Sequence, residues 1–101
     1  MPKFIPAAKT SEIPENQAKV VELQGKPVAI FRVQGKFYAV SHVCAHAGGP
    51  IGEGYLSEYL VTCPFHAWQY DIRNGKCVTV DGAKIASYPV KVEKETVFVG
   101  V

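Results

Sequence analysis

Cys44, His46, Cys63 and His66 stand in the pattern C-x-H-x16-C-x2-H, written Cys44-Ala45-His46 and Cys63-Pro64-Phe65-His66. Thiolate sulfur and imidazole nitrogen are metal ligands, and each half of the pattern supplies one of each. Two loops brought face to face would present two sulfurs on one side and two nitrogens on the other. That inventory suits a [2Fe–2S] cluster with two Cys on one iron and two His on its neighbour, in which neutral imidazoles raise the potential above that of an all-Cys cluster. By ligand type alone it also suits a structural zinc ion. Ligand order separates the two readings: zinc fingers commonly group Cys with Cys and His with His, whereas here they interleave. The pattern therefore points to a binuclear iron site and to electron transfer.

The spacing has physical reasons. Ligands two apart in Cys44-Ala45-His46 point the same way from an extended or loosely turned loop, with Ala45 held out of the site. The extra residue in Cys63-Pro64-Phe65-His66 allows a turn whose entry Pro64 fixes. Gly48 and Gly49 let backbone amides approach sulfur closely. The third cysteine, Cys77, lies in a strand-like run and reads as a buried thiol acting as a small hydrophobe. His42 reads as a loop histidine bonded to nearby backbone. Trp68 reads as cover and filler for the site, and Tyr70 either as a donor to a ligand sulfur or as core. Glu53, Glu58, Lys91, Glu93 and Lys94 read as solvated charges.

The elements that must position these loops have the periodicity of strands. Residues 18–24, 27–33 and 37–40 are short β-branched or aromatic runs separated by Gly25-Lys26 and Gln34-Gly35-Lys36, which predicts a meander. Trp68–Ile72, the turn Arg73-Asn74-Gly75-Lys76 and a returning strand Cys77–Val80 are expected next. A second hairpin is expected from Tyr88–Val92 and Thr96–Val99. Thr10–Ile13 reads as a brief helical turn stopped by Pro14. Residues 42–70 are loop-rich and hold all four ligands, so they read as a small lobe inserted into an antiparallel β platform of residues 1–41 and 71–101.

Length and composition bound the function. A chain of 101 residues is one domain's worth, with a modest core. A net charge of +2, with Arg32 and Arg73 as the arginines, gives no broad basic surface, so nucleic acid is not expected as a partner. No long apolar stretch suggests a membrane span or signal segment. Three cysteines, two of them claimed by the motif, describe no disulfide framework and suit a reducing, cytoplasmic setting. Neither a Ser-His-Asp set nor a Gly-rich phosphate loop is present, and His42 alone is left over for a mononuclear iron site, so no catalytic activity is expected of the chain itself.

The two ligand boxes, the Gly48-Gly49-Pro50 after the first and the Trp68-Gln69-Tyr70-Asp71 after the second resemble those of Rieske-type [2Fe–2S] proteins, over nearly the whole chain. The pattern is most similar to the small Rieske ferredoxins that serve ring-hydroxylating oxygenases. The resemblance implies an all-β, Rieske-like fold forming a single domain over 1–101. It implies one [2Fe–2S] cluster, with Cys44 and Cys63 on the inner iron and His46 and His66 on the outer. It further implies a one-electron carrier between a flavin-dependent ferredoxin reductase and a terminal oxygenase, docking at a His46/His66 tip. A small Rieske subunit of a larger redox enzyme, such as nitrite reductase, is the alternative. Against the respiratory branch of the family, Gly49 and Phe65 stand where that branch has a disulfide clip, and Trp68 stands in place of a Ser whose hydroxyl donates to the cluster. Fewer donors to sulfur leave the reduced charge less stabilised, which predicts a low-potential carrier, roughly −150 mV. Ala47, Pro50, Ile51, Ala67 and Trp68 are the expected low-charge contact patch.

Overall fold

Alternating apolar positions decide which residues the central strands bury. The computed structural model describes residues 3–44, 48–65 and 67–101. Its strands are β1 (Phe4–Lys9), β2 (Ala18–Leu23), β3 (Lys26–Val33), β4 (Lys36–Ser41), β5 (Tyr55–Ser57), β6 (Leu60–Thr62), β7 (Gln69–Asp71), β8 (Ser87–Tyr88), β9 (Val90–Glu93) and β10 (Thr96–Gly100), with single 3₁₀ turns at Thr10–Glu12 and Ile51–Glu53. They form three antiparallel sheets, ordered β1-β10-β9, β2-β3-β4-β8 and β5-β6-β7.

Two hairpins set the register of the middle sheet. Leu23 pairs with Lys26 and Val33 with Lys36, so each connection is a two-residue turn. Gln24-Gly25 (φ +52° and +77°) and Gln34-Gly35 (φ +53° and +76°) both place two successive residues at positive φ. This is the turn whose twist matches that of the strands it joins.

The middle sheet is covered on both faces, which explains why β3 buries Val28, Ala29, Ile30 and Phe31 in succession. Successive side chains point to opposite faces. Val28 and Ile30, with Ala39 of β4, pack into a core with Ala8, Ile13, Leu23, Val97 and Val99, beneath the β1-β10-β9 sheet. Ala29, Phe31 and Val33, with Val40, pack on the other side with Cys44, Ile51, Val61, Cys63, Tyr70, Ile72 and Ile85. The sulfur-bearing loops are thus pinned to the platform by a core that contains the sulfurs themselves.

Strand β1 has no clear alternation and was not expected. Pro6 sits on this sheet-edge strand, and the pairing with β10 slips between Pro6 and Ala8, where an irregularity takes up the residue that breaks the pattern. Strands β5 and β6, of three residues each, are too short to show a period. The expected returning strand Cys77–Val80 is replaced by isolated bridges, Tyr70 to Cys77 and Lys76 to Lys84. The reason is the turn at Asp81-Gly82, where Gly82 has φ +81° and Cys77 N–H is drawn to the Ala83 carbonyl at 3.0 Å. Val78 is left 53% exposed.

Candidate metal centre

Cys44 follows β4 in a loop closed by its own backbone. Its N–H donates to the Gly49 carbonyl (2.9 Å), and the Gly48 N–H donates back to the Cys44 carbonyl (3.0 Å). Gly48 makes this possible at φ +68°. Its own amide is therefore engaged within the loop. Val43 bridges Pro50 and the Ile51 N–H bonds the His42 carbonyl (2.8 Å), so the loop base is a narrow ladder. The second box begins at the end of β6. The Cys63 N–H donates to the Trp68 carbonyl (2.8 Å), and Ala67, at φ +58°, turns the chain back into β7.

These two loops bring Cys44 and Cys63 together in one core, at 2% and 1% exposure. Tyr70, fully buried on β7, sets its hydroxyl 3.2 Å from the Cys44 sulfur. It is both a sulfur partner and core, and once the sulfur is a thiolate the hydroxyl is the donor. Gly49 packs directly against the second sulfur: a β-carbon on residue 49 would stand 2.7 Å from Cys63 Sγ and 3.1 Å from the Phe65 β-carbon. Glycine is required there for space, not for φ.

Burial pushes the Cys63 thiol up from its ordinary value; a hydrogen bond from the Phe65 backbone N–H pulls it down, and the adjacent Cys44 pushes it up again. Two neighbouring buried sulfurs resist ionising together unless a cation lies between or beside them. The thiolate is the metal ligand. A water-excluded sulfur pair with a tyrosine donor and a glycine cradle fits a metal–sulfur cluster. His46 and His66 lie outside the described residues, as does Ala47.

Other residues take simpler places. His42 Nδ1 accepts from the Gly52 N–H at 2.9 Å, the backbone role expected of it. Cys77 is half-buried and its sulfur lies 3.3 Å from Thr79 Oγ1. Ile51, expected at the contact surface, is fully buried, because the 3₁₀ turn directs it into the core. Trp68 is half-buried against that core, and Pro50 is also half-buried. The exposed apolar groups around the loops are Val43 (43%), Phe65 (50%), Pro64 and Ala67.

A clamp that sequence reasoning missed closes the far end of β7. The Arg73 guanidinium donates through Nε (3.0 Å) and Nη2 (2.8 Å) to both oxygens of Asp71 and stacks over the Tyr59 ring at 4.3 Å. Those Arg73 bonds hold the Asp71 carboxyl below its usual range. Tyr59 meets Tyr38 edge to face at 5.8 Å. The signal was the Asp71-x-Arg73 spacing ahead of Asn74-Gly75, which folds the arginine back over its neighbour.

The profile of the Rieske [2Fe-2S] domain matches residues 3–89. The ferredoxin component of the naphthalene 1,2-dioxygenase/salicylate 5-hydroxylase systems of Ralstonia sp is 34% identical, over 89% of this chain and 88% of that protein. Among solved structures, the ferredoxin of carbazole 1,9a-dioxygenase from Nocardioides aromaticivorans IC177 superimposes with a TM-score of 0.91, covering 97% of both chains at 21% identity. The ferredoxin bound to its oxygenase in a carbazole 1,9a-dioxygenase complex gives 0.87, over 96% of this chain and 92% of that one at 24% identity. These last two likenesses bear on the fold, which is that of the Rieske ferredoxins. Family profile, aligned ferredoxin components and a buried two-sulfur site agree: the chain belongs to the Rieske [2Fe–2S] domain family and is one of its ferredoxins, an electron carrier with one cluster and not itself a catalyst.

Proposed function

We propose that this ferredoxin passes single electrons from a flavin-dependent reductase to a terminal oxygenase, from a low-potential cluster held by Cys44, Cys63, His46 and His66. The observation that carries the reading is the buried pair of sulfurs, Cys44 and Cys63, with the Tyr70 hydroxyl at 3.2 Å from one of them. When bound, the [2Fe–2S] cluster supplies a centre that accepts and releases one electron. Cys44 and Cys63 hold the inner iron from within the core, and His46 and His66, on the same two loops, hold the outer. Residues 1–101 form one domain, with 42–70 as its cluster-bearing lobe.

Tyr70 is the hydroxyl donor to a ligand sulfur, and Trp68 occupies the position from which a serine would add another. Without that serine's donation, the negative charge gained on reduction is less stabilised than in the respiratory branch, which places the potential near the low end of the Rieske range, roughly −150 mV. The acceptor docks at the His46/His66 tip, where Val43, Pro64, Phe65 and Ala67 give an apolar, low-charge rim. Redox encounters of this kind use small interfaces. A ferredoxin bound to its oxygenase is known from the carbazole 1,9a-dioxygenase complex, whose ferredoxin shares this fold. No helix among the described residues is long and apolar enough to cross a membrane, and a reducing cytoplasm suits the free thiol Cys77.

Purified holoprotein is expected to be brown, to bleach with dithionite, to give an EPR signal of low average g and to titrate well below 0 mV. A colourless protein carrying one zinc overturns the reading. Loss of the signal in Cys44→Ala, Cys63→Ala, His46→Ala and His66→Ala, each separately, tests the ligand set.

A further inference from the structure

Cys63 is sealed from solvent, at 1% exposure. Among the described residues, Gly49 and Phe65 both lie against its sulfur side. Gly49 is buried, and the place where its β-carbon would stand is 2.7 Å from Cys63 Sγ and 3.1 Å from both Cβ and Cδ2 of Phe65. Phe65 therefore reaches from the second loop across the first, with its ring over the Gly49 α-carbon. Half of its surface is nonetheless exposed, far more than Phe31, the core phenylalanine, at 1%. A half-exposed aromatic gains little by core packing, so its placement on Gly49 calls for another account.

We infer that Phe65 is a positioning residue that latches the two ligand loops together: its ring clamps Gly49 against Cys63 and so closes the route by which water, oxygen or a chelator reaches the sulfur. This inference rests on the cluster reading above. A latch of this kind acts on opening, not on ligand identity. Removing it leaves the four ligands in place and raises the frequency of local opening. It also explains why residue 49 has no side chain: any β-carbon would occupy the space between ring and sulfur.

The test is the rate at which visible absorption disappears when air-equilibrated holoprotein is held in excess EDTA. Phe65→Ala is expected to bleach about four- to twelvefold faster than wild type, the range that follows from losing roughly half of a phenylalanine's burial. Phe65→Leu, which refills the space over Gly49, is expected to stay within about twofold of wild type. Phe65→Ala bleaching at the wild-type rate overturns the latch. Fast bleaching that Phe65→Leu does not slow overturns it as well, because it shows that filling the space over Gly49 is not what keeps the loops together. Wild type that carries no cluster fails the underlying reading instead, so the two failures are told apart by the first spectrum.

Discussion

The two faces of the middle sheet are held by different physics. Under the β1-β10-β9 sheet, long registered strands interlock branched side chains: Val28, Ile30, Val97 and Val99 are all fully buried, and β1 and β10 pair along nearly their whole length. On the opposite face the strands have three residues each, and a second apolar core, with Phe31, Val61, Tyr70 and Ile72 fully buried, is joined among the described residues by close backbone approach and polar contacts such as Gly49 against Cys63, Tyr70 against Cys44, and Arg73 on Asp71. The first face is redundant and specifies stability. The second builds a site into a core of its own. Substitutions on the two faces should therefore report through different measurements.

The largest separation is expected from Cys63→Ala, which should abolish visible absorption while the far-UV spectrum of the β platform persists; collapse of both together would erase the distinction between the faces. Ile30→Ala on the redundant face should cost about 2–5 kcal/mol in urea unfolding, with unchanged potential and EPR lineshape in the folded fraction. Tyr70→Phe reverses that profile. Loss of the donor to the Cys44 sulfur should lower the midpoint potential by roughly 50 mV, about 1 kcal/mol of lost preference for the reduced state, with a smaller change in stability. Smallest is the contribution of Asp71. Its folded carboxyl is lowered chiefly by the bonds from Arg73, so the stabilisation is complete above the ordinary Asp value of about 3.9 and is lost as pH falls through the lower folded value. Arg73 is largely exposed, so about 0.5–1 kcal/mol is expected after screening. Urea midpoints between pH 5 and pH 3 should fall less steeply in Asp71→Asn than in wild type.

How much was legible in the chain follows the same division. The meander β2-β3-β4 and the hairpin β9-β10 were readable because side-chain period and turn chemistry agree, although the first turn, expected at Gly25-Lys26, falls one residue earlier at Gln24-Gly25. The two cysteines were readable from spacing, and they do meet in one core. Where geometry depends on backbone fit, sequence reasoning failed. It placed Ile51 on the surface and extended Cys77–Val80 into a strand that the Asp81-Gly82 turn pulls apart. Pro6 hid β1, since a residue lacking an N–H breaks the pattern that an irregular edge pairing then accommodates. The clamp of Asp71, Arg73 and Tyr59 needs three-dimensional proximity that no period encodes.

Strands β3 and β4 contribute side chains to both cores, Phe31 and Val40 to one, Ile30 and Ala39 to the other. A wall common to two rooms cannot be removed from one of them alone. Scanning calorimetry should accordingly record the two cores melting in one endotherm, with no separate earlier transition for either face.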